Sequence, residues 1–197
     1  MVNGYAGRWL TVDLDSGRLS HIELPQETQR DLVGGYGIGA RLLLERTKAG
    51  VNPLGPENIL GFCTGPLTGT PSPFGNRYTI IGLSPLTLTW GDASSGGDFG
   101  PYLKFAGYDG ILFCGTAPRP TYLLIDNGSP SLRDASHLWG KDTYETEKAL
   151  HEEYGRESRI ACIGPAGEKL SLISSVINDH GRAAGRSGLG AVMGSKR

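Results

Sequence analysis

Apolar and polar residues alternate over 7–14 and again over 19–24, with Asp15-Ser16-Gly17-Arg18 between them. A period of two around a turn-forming centre predicts a β-hairpin. From Gln26 to Lys48 the apolar positions move to helical spacing, with Ile38, Leu42 and Leu43 on one stripe behind Gly34, Gly35, Gly37 and Gly39. Two apolar runs follow, 58–63 and 77–82, stopped by Gly65-Pro66 and Ser84-Pro85, and these predict buried strands. Residues 90–97 read as a loop that leads into a helical segment over 101–106, and 108–115 returns to strand. A second hairpin pairs 121–125 with 131–133 across the Asn127-Gly128 turn. Residues 143–154 form an amphipathic helix with Asp142 as N-cap and Glu145 completing a capping box. Strands are predicted over 159–163, ending at Gly164-Pro165, and over 170–177.

The two halves read alike: hairpin, helix, strand ending in Gly-Pro, strand, glycine-rich loop. Cys63-Thr64-Gly65-Pro66 answers Cys162-Ile163-Gly164-Pro165, and 94–97 answers 185–190. The pattern predicts an α+β fold: two mostly antiparallel sheets from an internal duplication, with flanking helices. The whole chain, 1–197, is then a single domain with pseudo-repeats at about 5–100 and 108–197.

A chain of 197 residues, 38% hydrophobic and 20% charged, is long enough for one well-buried core. The 31 glycines and 12 prolines carry no repeat period, so they mark turns and close backbone approaches rather than a fibrous sequence. A net charge of -1 argues against nucleic acid or an anionic membrane as a general partner. The N-terminus lacks a charged segment followed by an apolar core, and no run has the length of a membrane span, so a cytoplasmic location is expected. Cys63, Cys114 and Cys162 are odd in number, far apart and set in apolar runs, which predicts reduced thiols rather than disulfides or a metal site.

The chemistry-bearing stretch is 178–196, where glycines recur at short intervals beside Arg182 and Arg186. Glycines let backbone N–H groups approach a ligand, and forked guanidinium groups hold anions. Apolar residues interleaved with the glycines separate it from a flexible linker. Ser94-Ser95-Gly96-Gly97 before a predicted helix offers a second anion site, or plain N-capping by a serine. The glycines at 34–39 are not spaced as GxGxxG and follow no strand, so they predict tight helix packing rather than dinucleotide binding. No catalytic acid or base can be argued: His21, His137 and His180 are isolated in sequence, and His151 falls on a helix surface.

Seven phrases carry a resemblance: Gly-Pro-Leu-Thr-Gly-Thr at 65–70, Leu-Ser-Pro-Leu-Thr at 83–87, Ser-Ser-Gly-Gly-Asp-Phe-Gly at 94–100, Leu-Lys-Phe-Ala-Gly-Tyr-Asp at 103–109, Asp-Ala-Ser-His-Leu-Trp-Gly-Lys at 134–141, Ile-Gly-Pro-Ala-Gly-Glu at 163–168, and the run 182–196. In order and spacing they closely resemble the N-terminal domain of the tungsten aldehyde:ferredoxin oxidoreductase family. The resemblance implies a base for a tungsten or molybdenum bis-pterin cofactor whose phosphates are bridged by Mg2+. The cofactor-binding residues it implies are Arg77, Ser94, Ser95, Gly96, Arg182, Ala183, Gly185 and Arg186, with the backbone carbonyls of Ser94 and Ala183 on the magnesium. Many relatives carry Asn in place of Ser94, so the implied contact there is through the backbone. The enzyme so implied oxidises aldehydes to carboxylic acids and passes electrons through a 4Fe-4S cluster, held by downstream domains absent from this chain, to ferredoxin. A homodimer is left open. The alternatives are a freestanding, non-catalytic cofactor scaffold or carrier subunit, or the same domain of a related aromatic thioester reductase.

Overall fold

The computed structural model describes residues 4–197; the reading of the extreme N-terminus includes Met1–Asn3, which lie outside them. The first hairpin forms as expected, β1 (Trp9–Asp13) against β2 (Arg18–Ile22). The long helical stretch is two helices, α1 (Gln26–Leu32) and α2 (Gly35–Arg46). The break falls at Val33 and Gly34, both at positive φ (62° and 159°). A Cβ on Gly34 would stand 2.8 Å from Gly65 Cα, so chain contact sets the break. The glycines of α2 serve packing: a Cβ on Gly39 would lie 2.9 Å from Ile81 and 3.1 Å from the Cys63 sulfur.

Strands β3 (Leu60–Thr64), β4 (Tyr78–Leu83) and β5 (Trp90–Ser95) follow, then α3 (Phe99–Phe105) and β6 (Gly110–Cys114). With β1 and β2 they make a six-stranded sheet in the order β2-β1-β6-β3-β4-β5. All its pairings are antiparallel except β1 with β6. β3 is buried along its whole length, and its continuous apolar run reflects cover on both faces. One face packs Trp9, Ile59, Ile81 and Leu112 on Ile38, Leu42 and Leu43 of α2. The opposite face builds the larger core, from Leu10, Phe62, Tyr78, Ile80 and Tyr108 to Val176, Ala184, Leu189 and Val192.

The remainder comprises the hairpin β7 (Thr121–Asp126) and β8 (Ser129–Asp134), α4 (Thr143–Tyr154), β9 (Ala161–Cys162), a single turn α5 (Pro165–Glu168), β10 (Val176–Asn178), β11 (Arg182–Ala184) and α6 (Leu189–Lys196). The capping box on α4 is present in full, with Asp142 accepting from the Glu145 N–H and Glu145 from the Asp142 N–H.

The α+β class and the mostly antiparallel pairing match the sequence reading. The expected pair of like sheets is corrected to a six-stranded sheet, a three-stranded sheet (β11-β10-β9) and a two-stranded hairpin. Gly110–Cys114 pairs with β1 and β3 instead of opening a second sheet, and the remaining strands of the C-terminal half are short. The strand expected over 170–177 keeps only Val176–Asn178, because Leu170 sits at φ 60° and Ile173 is 82% exposed. Likewise 159–163 keeps only Ala161–Cys162.

Candidate functional site

Residues 90–97, expected as a loop, form the edge strand β5 and its exit. Burial alternates along it with Gly91, Ala93 and Ser95 inward, so small residues supply the inner face and the apolar signal is weak. β11 is the edge of the three-stranded sheet and lies against β5. The candidate site is therefore a seam between two sheet edges. Each edge strand carries a row of backbone groups outside its own ladder.

Asn178 ties the seam. Its side chain is fully buried; Oδ1 accepts from Tyr78 Oη at 2.9 Å and Ser95 Oγ at 2.8 Å, while Nδ2 donates to the Gly96 carbonyl at 2.9 Å and to Asp179 Oδ2 at 2.7 Å. Burial raises the Tyr78 phenol above its usual pKa, which keeps it a donor. Asp179 Oδ2 also takes the backbone N–H of Asp98 at 2.6 Å. The N-terminus of α3, expected to face a ligand anion or a capping serine, thus receives an internal carboxylate. Gly97 is held at φ 85°, and a Cβ there would overlap that carboxylate.

Arg77 donates from Nη2 to Ser94 Oγ at 3.0 Å, with its guanidinium beside Gly96, where an added Cβ would lie 3.5 Å from Nη1. Arg182 stands opposite Asn178 in the β10–β11 register, and Ala183 opposite Ile177. Arg77, Ser94, Arg182, Ala183, Gly185 and Arg186 are exposed; Ser95 and Gly96 are buried. The structure thus brings the two predicted segments to one seam. Ser95 is the exception in orientation, its hydroxyl committed inward to Asn178. Sequence reasoning gave Asn178 and Asp179 no role; the available signal was an Asn-Asp pair ahead of Gly181, residue types that tolerate the left-handed backbone seen at Asp179 (φ 45°).

Among the described residues, no group of three or more His, Cys, Asp or Glu side chains could hold a metal ion. All three cysteines are free, with Cys63 and Cys162 buried. A cavity of about 880 Å3 lies elsewhere, between apolar residues of the large sheet, the β7–β8 hairpin and α4; none of the sequence-predicted site residues lines it.

The family model for the aldehyde ferredoxin oxidoreductase N-terminal domain matches residues 9–197. The chain belongs to this family. It is 47% identical over 194 residues to the tungsten-containing aldehyde ferredoxin oxidoreductase of Pyrococcus furiosus, covering 98% of this chain and 32% of that protein. To the aliphatic sulfonate oxidoreductase, WOR-like subunit, of the same organism it is 35% identical, over 98% of this chain and 33% of the relative. Among solved structures, the active site complex BamBC of benzoyl coenzyme A reductase in complex with 1,5-dienoyl-CoA superposes with a TM-score of 0.96 at 38% identity, over all of this chain and 30% of that one. This member of the family therefore spans about a third of the length of its matched relatives. No helix among the described residues is long and apolar enough to cross a membrane.

Proposed function

We propose that this chain is the cofactor-bearing domain of an aldehyde:ferredoxin oxidoreductase, and that the β5–β11 seam is where a tungsten, or molybdenum, bis-pterin lies. The reading is supported above all by the packing of β5, whose Ser94 accepts a hydrogen bond from Arg77, against β11, which carries Arg182 and Ala183, in a chain 47% identical to a tungsten-containing aldehyde ferredoxin oxidoreductase. When bound, the cofactor supplies the two-electron redox chemistry.

The residues fit such a ligand. Arg77 uses one nitrogen on Ser94, which fixes its plane and leaves its other N–H groups for a phosphate. Arg182 and Arg186 are exposed on the other side and add guanidinium donors. Gly96 and Gly185 keep the backbone open to a close approach. The carbonyls of Ser94 and Ala183, on the two facing edges, are hard oxygen donors of the kind Mg2+ takes alongside phosphate and water. Asn178 and Asp179 touch no ligand in this scheme; they hold the two edges in register. Oxidation of the aldehyde, electron transfer through a 4Fe-4S cluster and reduction of ferredoxin belong to the protein that contains the downstream domains.

The superposition on benzoyl coenzyme A reductase supports a second reading, an aromatic thioester reductase built on the same base. Anaerobic purification of the full-length protein separates the two. Tungsten or molybdenum with pterin, and ferredoxin reduction driven by simple aldehydes, supports the first. The metal and pterin without aldehyde turnover, but with reduction of an aromatic acyl-CoA, supports the second. Absence of metal and pterin refutes both.

A further inference from the structure

The C-terminal half repeats the element order of the N-terminal half up to its last strand. The first half runs hairpin β1–β2, helices, β3, β4, β5, α3, β6; the second runs hairpin β7–β8, helix, β9, β10, β11, α6, with only the single turn α5 added. The pairings agree as well, since β9–β10 and β10–β11 are antiparallel, as are β3–β4 and β4–β5. In the first half β6 follows α3 and fills the place between the hairpin and β3, parallel to β1 and antiparallel to β3. Among the described residues no strand holds that place in the second half, so the two-stranded and three-stranded sheets stay separate.

The cavity of about 880 Å3 lies where that strand would run. All of β7 lines it, as do residues 160–163 around β9, Phe62 and Phe113 of the large sheet, and Leu150 of α4. A strand as long as β6, five residues, takes roughly 800 Å3 between two layers, given a rise of about 3.3 Å, a strand spacing of about 4.8 Å and a layer spacing of about 10 Å. β1, whose second edge is taken by β6, buries Trp9, Leu10 and Val12, whereas no residue of β7 is buried. Thr121 donates its backbone N–H to the Arg197 carbonyl at 2.8 Å and not to β8. Backbone groups alternate sides along a strand, so those of Leu123 and Ile125 point to the same side as Thr121, away from β8. Lys196 and Arg197 also line the cavity, so α6 delivers the chain to it.

We infer that the cavity is a strand slot, and that its occupant is the stretch that follows Arg197 in the full-length protein. The Thr121–Arg197 bond is the one with which a parallel ladder along β7 begins, and this chain covers only 32% of the length of a 47%-identical relative. The strand would run parallel to β7 and antiparallel to β9, and would join the two small sheets into one. Lying between the large sheet and α4, it should be a continuous apolar run without proline. β11 belongs to the sheet so completed, so the downstream chain would help to hold the edge that carries Arg182 and Ala183. The inference does not rest on the proposed cofactor chemistry, because it uses none of the seam's donors.

The test is backbone hydrogen exchange, resolved to single amides by mass spectrometry, on three proteins: chain 1–197, the full-length protein, and the full-length protein with two prolines placed in the five residues after Arg197. The amides of Leu123 and Ile125 should exchange about a hundredfold more slowly in the full-length protein than in chain 1–197. The prolines, which a central strand does not tolerate, should make both amides fast again. Equal exchange in chain 1–197 and the full-length protein overturns the proposal, and so does slow exchange that survives the prolines. Slow exchange in chain 1–197 that grows with its concentration would put a second copy in the slot and overturns it too. The first comparison decides even if the proline variant fails to fold.

Discussion

Tyr78 and Asn178, one hundred residues apart, share a buried hydrogen bond of 2.9 Å that joins the large sheet to the small one. Because Ser95 and Gly96 use the same amide, one side chain sets the width of the proposed cofactor seam. Asn178→Ala should strand the Tyr78 hydroxyl and the Gly96 carbonyl in the interior. The expected loss of unfolding free energy is about 2–4 kcal/mol. Urea denaturation of the variant against the parent checks it, and a loss below about 0.5 kcal/mol would mean that the seam does not depend on Asn178.

Gly97 and Asp179 make a second pair. Gly97→Ala places a methyl where the Asp179 carboxylate sits, at φ 85°. The carboxylate must leave the N-terminus of α3, so amide hydrogen exchange at Asp98 should accelerate at least tenfold while exchange in β3 stays slow. Unchanged exchange at Asp98 would contradict the contact.

Lys196 gives a pH dependence. Its ammonium is buried, donating to the carbonyls of Asn58 at 2.6 Å and Gly115 at 3.1 Å, and desolvation lowers its pKa from 10.5 to about 8. Between those values the unfolded chain holds a proton that the folded chain has released, so this group makes stability rise with pH. Below about 8 both states are protonated and the cost of burying the charge is fully present. Lys196→Met lacks the window. The stability of the parent relative to this variant should increase by a few kcal/mol between about pH 7 and 10.5, measured by denaturant titration.

Thiol reactivity should divide by burial. Desolvation raises Cys63 well above the ordinary thiol range and Cys162 to about 12, while Cys114 is only partly covered. Iodoacetamide followed by mass spectrometry should label Cys114 first; prior labelling of Cys63 would show a more open sheet than the one described.

Elements with a strong period were legible in the sequence: the first hairpin, the buried runs that became β3 and β4, and the Asp142–Glu145 capping box. What escaped notice depends on contacts distant in sequence. β5 turns glycine, alanine and serine inward, so its strand period has little hydrophobic contrast. The break between α1 and α2 is set against Gly65, and β6 enters the large sheet beside β1 by a parallel pairing that no local pattern announces. At the proposed site, Arg77, Ser94, Arg182 and Ala183 were singled out because motifs carry them. Asn178 and Asp179 were not, because their partners lie at Tyr78 and at 95–98.

The central claim is that the phosphates of a bis-pterin cofactor are gripped across the seam by Arg77 and Arg182. Both side chains are exposed, so their removal should leave the fold intact. The direct measurement is metal and pterin content per protein after anaerobic purification of the full-length enzyme with Arg77→Ala and Arg182→Ala together, at unchanged circular dichroism. The account predicts at least a tenfold loss of both metal and pterin relative to the parent; full occupancy in the double variant would contradict it.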